Sequence, residues 1–268
     1  MCTAMKTKMI IPNHAILVAA FTLVPSPLNA LKPIGLVWFA NFLTSSIGKK
    51  LLMSLSGLFL ILFLPVHLIG NLQLLTKDAG VSFNLYSYFM THNPLIKTVS
   101  YLLYFSIILH TIQGLLLWRK NKKARGNIGY AVSALRGDGT NVKAATNMAW
   151  LGIIIFVFIA VHMYQFWLQM KLGKVPMVMI EGTEYKNLYE PVVLAFSNPG
   201  FVVFYVVSMI IIGIHLNHGF QSSFQTLGLN HKKYTPFIKY IGRIYAFIVP
   251  FGFAIIPIIV YGRNNLWW

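Results

Sequence analysis

Four histidines stand inside long apolar runs of the chain: His67, His110, His162 and His215. An ionisable side chain at membrane depth is costly to bury and marks a functional site, with a partner to satisfy it. The settings of the four repeat. Phe63-Leu64-Pro65-Val66-His67-Leu68 parallels Phe158-Ile159-Ala160-Val161-His162-Met163. Asn93-Pro94 stands before His110 as Asn198-Pro199 stands before His215, with sixteen residues from each proline to its histidine. A glycine follows each of these two histidines by four residues, Gly114 and Gly219. Two facing neutral imidazoles are the axial set of a six-coordinate haem, whose porphyrin supplies the other four nitrogens. A glycine one turn beyond a ligand leaves room for a flat macrocycle. The competing chemistries are a hydrogen bond to a neighbouring helix, a histidine-held non-haem metal, and a proton relay.

The elements that must position these rings are membrane spans. A bilayer core about 30 Å thick needs a helix of about 20 apolar residues. Five stretches qualify: about Leu51 to Leu75, Thr98 to Trp118, Asn147 to Met170, Gly200 to Phe224, and Ile244 to Tyr261. Pro250 and Pro257 should bend the fifth. Asn then Pro reads as an N-cap followed by the first helical position, so spans two and four open alike. His67, His110 and His162 lie roughly eight residues before their helix ends and His215 roughly nine, or about 12 Å from the surface at 1.5 Å per residue. Spans one and three run one way and spans two and four the other. The four histidines therefore fall into two pairs, His67 with His162 and His110 with His215, one in each half of the bilayer.

Composition agrees with a membrane protein. Of 268 residues 57% are hydrophobic and only 10% charged, too few to coat a soluble globule. Net charge is +17. On a soluble chain that would suggest nucleic acid; on an apolar one it reflects basic cytoplasmic loops, and no nucleic acid partner is expected. With the N-terminus inside, sixteen Lys and Arg fall on the inner side and six on the outer, while Asp78, Glu181, Glu184 and Glu190 fall outside. The expected topology is N-terminus cytoplasmic and C-terminus outside. Trp118 and Trp150 sit at inner boundaries, Trp167 at an outer one, and Trp267-Trp268 beyond the last outer end, as an aromatic belt requires. The single cysteine, Cys2, excludes a disulfide framework, a Cys-ligated cluster and covalent haem attachment. No GxGxxG fingerprint is present, so hydride chemistry must come from elsewhere.

Residues 1-36 form an N-terminal extension: Lys6 and Lys8, the apolar Met9 to Val24, then Pro25-Ser26-Pro27. This is signal-like, yet cleavage would leave the mature N-terminus outside, against the charge count; an uncleaved extension or an upstream start fits better. Residues 37-268 form the membrane domain, opening with a short amphipathic inner-surface helix over Val37 to Ser46 (Trp38, Phe39, Phe42). His218, three residues after His215, competes as a ligand; the repeat favours His215. His92 reads as a cap in an outer loop, His231 as part of the basic inner segment, and His14 lies in the extension. Ser54, Ser56, Asn71, Gln73 and Gln113 could meet haem propionates or join helices, and Tyr86, Tyr88 and Tyr104 read as interface aromatics.

Two segments resemble a known family. Gly48-Lys49-Lys50-Leu51-Leu52-Met53-Ser54-Leu55-Ser56-Gly57-Leu58-Phe59, followed by His67, is similar to the start of the dihaem cytochrome b subunit of succinate dehydrogenase/fumarate reductase, in its five-helix, single-subunit b558 form. His215-Leu216-Asn217-His218-Gly219-Phe220, then Phe224-Gln225-Thr226-Leu227-Gly228, is similar to that family's fourth helix and inner loop. The similarity covers roughly Val37 to Gly262.

The resemblance implies an all-α membrane anchor of five transmembrane helices in a bundle holding two b-type haems. It implies His67, His110, His162 and His215 as axial ligands to haem iron, His67/His162 outer and His110/His215 inner, with Ser54 as a propionate contact. It further implies partner subunits carrying FAD and iron–sulfur clusters on the inner face, a quinone substrate, usually menaquinone, and a bacterial inner-membrane location. The basic loop from Arg119 to Lys143 could dock an acidic partner face or lipid head groups. A polytopic transporter whose histidines relay protons is the alternative from another class.

Overall fold

A computed structural model describes residues 36–126 and 142–265 of the chain. The extension up to residue 35, with His14, the loop residues 127–141 and the pair Trp267-Trp268 lie outside the described residues. Between Lys49 and Lys50 the chain divides into two compact units. In the first, helix α1 (Val37–Thr44) buries no side chain and exposes Trp38, Phe39 and Phe42. It ends where Ser45 turns extended, and the Ser45 hydroxyl then accepts from the Gly48 N–H at 3.0 Å as the next helix begins.

Helix α2 is Ser46–Leu72, closed by a 3-10 turn over Gln73–Leu75. There follow α3 (Val81–His92), α4 (Pro94–Arg125), α5 (Val142–His162), a hairpin of β1 (Met177–Ile180) and β2 (Thr183–Lys186), α6 (Tyr189–Phe196), α7 (Pro199–Thr226) and α8 (Thr235–Asn264). Five stretches among the described residues are long and apolar enough to cross a membrane: Ser46–Leu75, Pro94–Ala124, Asn147–Lys171, Pro199–Thr226 and Thr235–Asn264. Each runs at or beyond the limits expected from composition, and the fifth starts nine residues earlier than Ile244. Their outward faces carry apolar side chains, among them Leu62, Leu95, Phe105 and Phe247, each more than 60% exposed. Water would penalise such a surface, whereas lipid suits it.

The helix starts follow local chemistry. The Asn93 carboxamide oxygen accepts from the Leu95 and Ile96 N–H groups at 3.0 and 3.3 Å, and Asn198 does the same for Gly200 at 2.8 Å. Pro94 and Pro199 occupy the first helical position, where no N–H is needed. Helix α4 is 32 residues long, about 48 Å at the standard rise, so it outruns the hydrocarbon core. Its surplus carries Arg119, Lys120, Lys122 and Lys123 past Trp118. The Trp118 ring meets Trp150 of α5 at 6.3 Å, and the Lys122 ammonium lies 5.5 Å from the Trp118 ring centre.

Prolines inside spans are met by specific contacts. Pro65 in α2 has no N–H for the Ile61 carbonyl, four residues back. The Tyr245 hydroxyl of α8 donates to that carbonyl at 2.5 Å instead. Pro250 likewise frees the Ala246 carbonyl, and a Cβ on Gly213 of α7 would lie 3.0 Å from this oxygen. Glycine there lets the α7 and α8 backbones approach closely.

Two buried cores form at two levels. One gathers Leu74, Phe158, Val192, Phe196, Val202, Tyr205, Met209, Ile256 and Val260; the other gathers Ile61, Leu216 and Ala246. The first continues into a cap of α3 and α6 through Phe83, Val192 and Phe196, with the hairpin against α3. The described residues are mostly helical, as expected, with one two-stranded antiparallel hairpin added. The hairpin pairs Met177 with Lys186 and Ile180 with Thr183. Its two turn residues, Glu181 and Gly182, both have positive φ, +49° and +79°, as a two-residue turn matching strand twist requires. Asn84 of α3, 2% exposed, clasps the cap: its oxygen accepts from the Leu188 and Tyr189 N–H groups, and its amide donates to Asn187.

Candidate functional site

Helix α2 presents His67 and helix α5 presents His162, and the two ring centroids lie 5.8 Å apart with planes at 80°. The internal repeat recurs as packing. Phe63, one turn before His67, stacks on it at 5.1 Å, and Phe158, one turn before His162, stacks on that ring at 5.9 Å. Phe253 of α8 adds a side at 5.5 Å from His67, and Phe166 lies 5.4 Å from His162. Immediately after His162 the helix loosens into a π-turn, Met163–Leu168, before a last α-turn at Gln169–Lys171. Single π-turns of this kind occur frequently at functional sites.

Helices α4 and α7 bring His110 and His215 together, with centroids 6.3 Å apart and planes at 72°. It is the His215 ring that meets His110; His218 lies half-buried on the next turn. Gly57 of α2 faces this pair. A Cβ there would stand 3.1 Å from His110 Cε1, so any larger residue presses on the ring. A Cβ on Gly219 would meet nothing within 4 Å, and one on Gly114 only Met53 Cε at 3.4 Å. One turn past each ligand candidate there is therefore open or nearly open space.

The two pairs occupy different levels of the bundle. On α7, Tyr205 touches His162 and His215 meets His110, ten residues or about 15 Å apart along the axis. On α2, Ser56 touches His110 and His67 follows eleven residues later, about 16 Å. Two helices thus give the same separation.

These pairs can be tested against axial ligation of a haem. With a metal–nitrogen bond of about 2 Å on either side, two axial imidazoles have centroids about 6 Å apart. The observed 5.8 and 6.3 Å match. Rings near perpendicular can still both contain one nitrogen–iron–nitrogen axis. Among the described residues no group of three or more His, Cys, Asp or Glu gathers to hold a metal ion. A pair of imidazoles alone suits a metal whose remaining ligands come from a macrocycle.

A ligating histidine gives its second ring N–H to a partner, which fixes the tautomer. At His110 the partner is Ser56. Its hydroxyl donates to the Leu52 carbonyl at 2.7 Å, so toward His110 Nδ1, 3.2 Å away, it accepts. At His162 the partner is Tyr205, 3.4 Å from Nδ1. Both arrangements keep the proton on Nδ1 and the lone pair on Nε2. His215 Nδ1 is buried without a hydrogen-bond partner, as is Gln113 Oε1, one turn after His110. His67 differs. The Asn71 amide nitrogen donates to the His67 carbonyl at 2.8 Å and lies 3.3 Å from Nδ1, where it can only donate again. Iron at His67 Nε2 would require this proton to move to Nδ1 and the amide to turn away. Two of the four rings, His110 and His162, have an acceptor at Nδ1 as ligation asks; His215 has none there, and His67 faces a donor.

Ser54 is buried on α2, half a turn before Ser56 and so at the level of the His110–His215 pair. Among the described residues, the other histidines take part in neither pair. His92 stacks on Tyr88 at 3.9 Å, with Nδ1 against the Tyr88 carbonyl, and His231 stacks on Tyr234 and accepts from the Lys233 N–H. Tyr86 packs in the cap, and burial pushes its phenol above the usual tyrosine value. Tyr205 and Gln165 were not singled out by sequence. Each is one polar group in an apolar helix, and nothing local shows that the two converge on His162. No protein-family model, curated protein or solved structure matches the chain.

Proposed function

We propose that this chain is a membrane-anchoring dihaem cytochrome b subunit that passes electrons between an iron–sulfur partner and a membrane quinone. The observation that carries this reading is the double pairing: two couples of buried imidazoles, each about 6 Å across, separated by ten to eleven residues along shared helices. His67 and His162 would hold one haem, His110 and His215 the other, with Ser54 near the propionates of the second. When bound, each haem supplies a one-electron couple. The chain supplies axial nitrogens, apolar walls that exclude water, and the spacing between the two centres.

The motif similarity to the succinate dehydrogenase/fumarate reductase anchor extends the reading. Partner subunits would bring FAD and iron–sulfur clusters, and a quinone, of the menaquinone class on family grounds alone, would take or give electrons. The basic end of α4 supports an inner docking face, and the lysine and arginine asymmetry supports insertion in a bacterial inner membrane with the N-terminus inside.

The test is spectroscopic. Purified chain, reduced minus oxidised, should show a b-type α-band and about two haems per chain. His110→Ala or His215→Ala should each remove about one haem, and the double variant should remove no more than either alone, because one remaining imidazole cannot complete the six-coordinate set. A chain without haem colour, or single variants that keep a full complement, would overturn the proposal.

A further inference from the structure

The geometry points to Tyr205 and Gln165 as positioning residues that dictate which nitrogen of His162 carries the proton. The Tyr205 hydroxyl, on α7, donates to Gln165 Oε1 at 2.7 Å. Its hydrogen is then committed, and toward His162 Nδ1, 3.4 Å away, the same oxygen can only accept. Nδ1 must carry the proton and Nε2 must offer the lone pair. Gln165 lies three residues after His162, inside the π-turn. Residues three apart on a helix share a face, so both side chains reach the one Tyr205 hydroxyl.

The site is built to hold this arrangement. Tyr205 is 7% exposed and its ring is enclosed by Phe158, Phe196 and Phe204 at 5.1, 5.0 and 5.8 Å. A phenol so fixed cannot choose a new partner freely. Polarity runs one way, from His162 through Tyr205 to Gln165. Turning the Gln165 amide over would reverse it: the amide nitrogen would donate to Tyr205, the phenol hydrogen would go to Nδ1, and the His162 proton would sit on Nε2. His67, whose Nδ1 faces the Asn71 amide donor, has this opposite polarity. The couple therefore joins one ring that offers its Nε2 lone pair as it stands with one that would have to rearrange to do so.

The consequence for a bound haem rests on the dihaem reading; the tautomer itself does not. Two measurements separate them. In the full chain without haem, selectively 15N-labelled at histidine, His162 (assigned by loss of its signal in His162→Ala) should be protonated at Nδ1. Tyr205→Phe, which keeps the ring packing, should shift the proton toward Nε2. Gln165→Leu should do so as well, because the phenol hydrogen is released to Nδ1. In a Tyr205→Phe background Gln165→Leu should add nothing, and Gln165→Glu should retain the wild-type tautomer. In the haem-loaded chain, loss of the Nδ1–H acceptor makes the ligand less basic. Tyr205→Phe should then make one of the two centres about tenfold easier to reduce, a rise of about 59 mV for one electron, with haem content unchanged. A His162 protonated at Nε2 in the wild type, or a Tyr205→Phe chain with unaltered tautomer and potentials, would overturn the proposal. A chain that takes up no haem yet shows the Nδ1–H tautomer would refute the dihaem reading and leave this one standing.

Discussion

A proline two residues before His67 interrupts the hydrogen-bond ladder at the level where that ring must be held. Repair comes from α8, whose Tyr245 hydroxyl takes the carbonyl that Pro65 leaves without a donor. The contact ties α2 to α8 between the levels of Ser56 and His67 on α2. Tyr245→Phe removes the donor and leaves the Ile61 carbonyl unpaired. We expect a loss of about 1 kcal/mol, read as earlier thermal unfolding in detergent, with the His110–His215 couple retained. The same scale explains why glycine stands at position 57: a methyl group there would press on His110 at 3.1 Å.

Among the elements, the cap built from α3, the hairpin and α6 has the least precedent in the hydropathy pattern. It stands at the end of the bundle where Leu74, Val192 and Phe196 join the core around His162. Helix α3 is started by Asp78, whose carboxylate accepts from the Gly80 and Ser82 N–H groups and from the Ser82 hydroxyl. The Ser82 hydroxyl, chiefly, holds the Asp78 carboxyl below the usual carboxylate range. A carboxyl lowered in the folded state stabilises it above the ordinary value of about 4 and loses that contribution as pH falls through and below it. Protection of the amides at the start of α3, taken against the exchange of an unstructured chain at the same pH, should therefore fall as pH drops below about 4. Asp78→Asn should show the lower protection already at neutral pH and no further loss of protection in acid. An unchanged pH profile in that variant would refute the assignment of the effect to Asp78.

Among the described residues five long apolar helices bury Ser54, Ser56, Ser208 and Ser223 and carry lysines and arginines toward their ends. The basic extension of α4 beyond Trp118 and the Trp118–Trp150 contact mark one common surface. Under the dihaem reading that surface is cytoplasmic. Cysteines introduced singly at Lys122 and at Lys174, in a chain with Cys2 replaced by Ser, should react oppositely to a membrane-impermeant thiol reagent in intact cells. The position-174 variant should be labelled and the position-122 variant protected. The reverse pattern would invert the topology and remove the charge argument for inner docking.

How much of this is legible in residue order follows from which forces are local. Apolar runs, Asn–Pro starts and the repeated Phe-x-x-x-His pattern are set by the chain's own periodicity and by the cost of burying polar groups, so the spans and the histidine candidates could be read from residue order. Helical rise converted sequence position into depth, which is why His67 could be matched to His162 and His110 to His215 before their rings were seen to meet. The short cap could not be read the same way. Its turn at Glu181-Gly182 lacks the usual Asn or Asp before glycine, and Asn84 clasps a strand end more than a hundred residues away. The π-turn after His162 and the meeting of Tyr205 with Gln165 depend on how α5 and α7 pack, and Tyr245 reaches Ile61 across 184 positions. Residue order therefore determined which side chains lie at which depth. Only packing between distant helices decided which polar atoms satisfy one another, because a hydrogen bond needs atoms brought within about 3 Å and no short-range pattern encodes that.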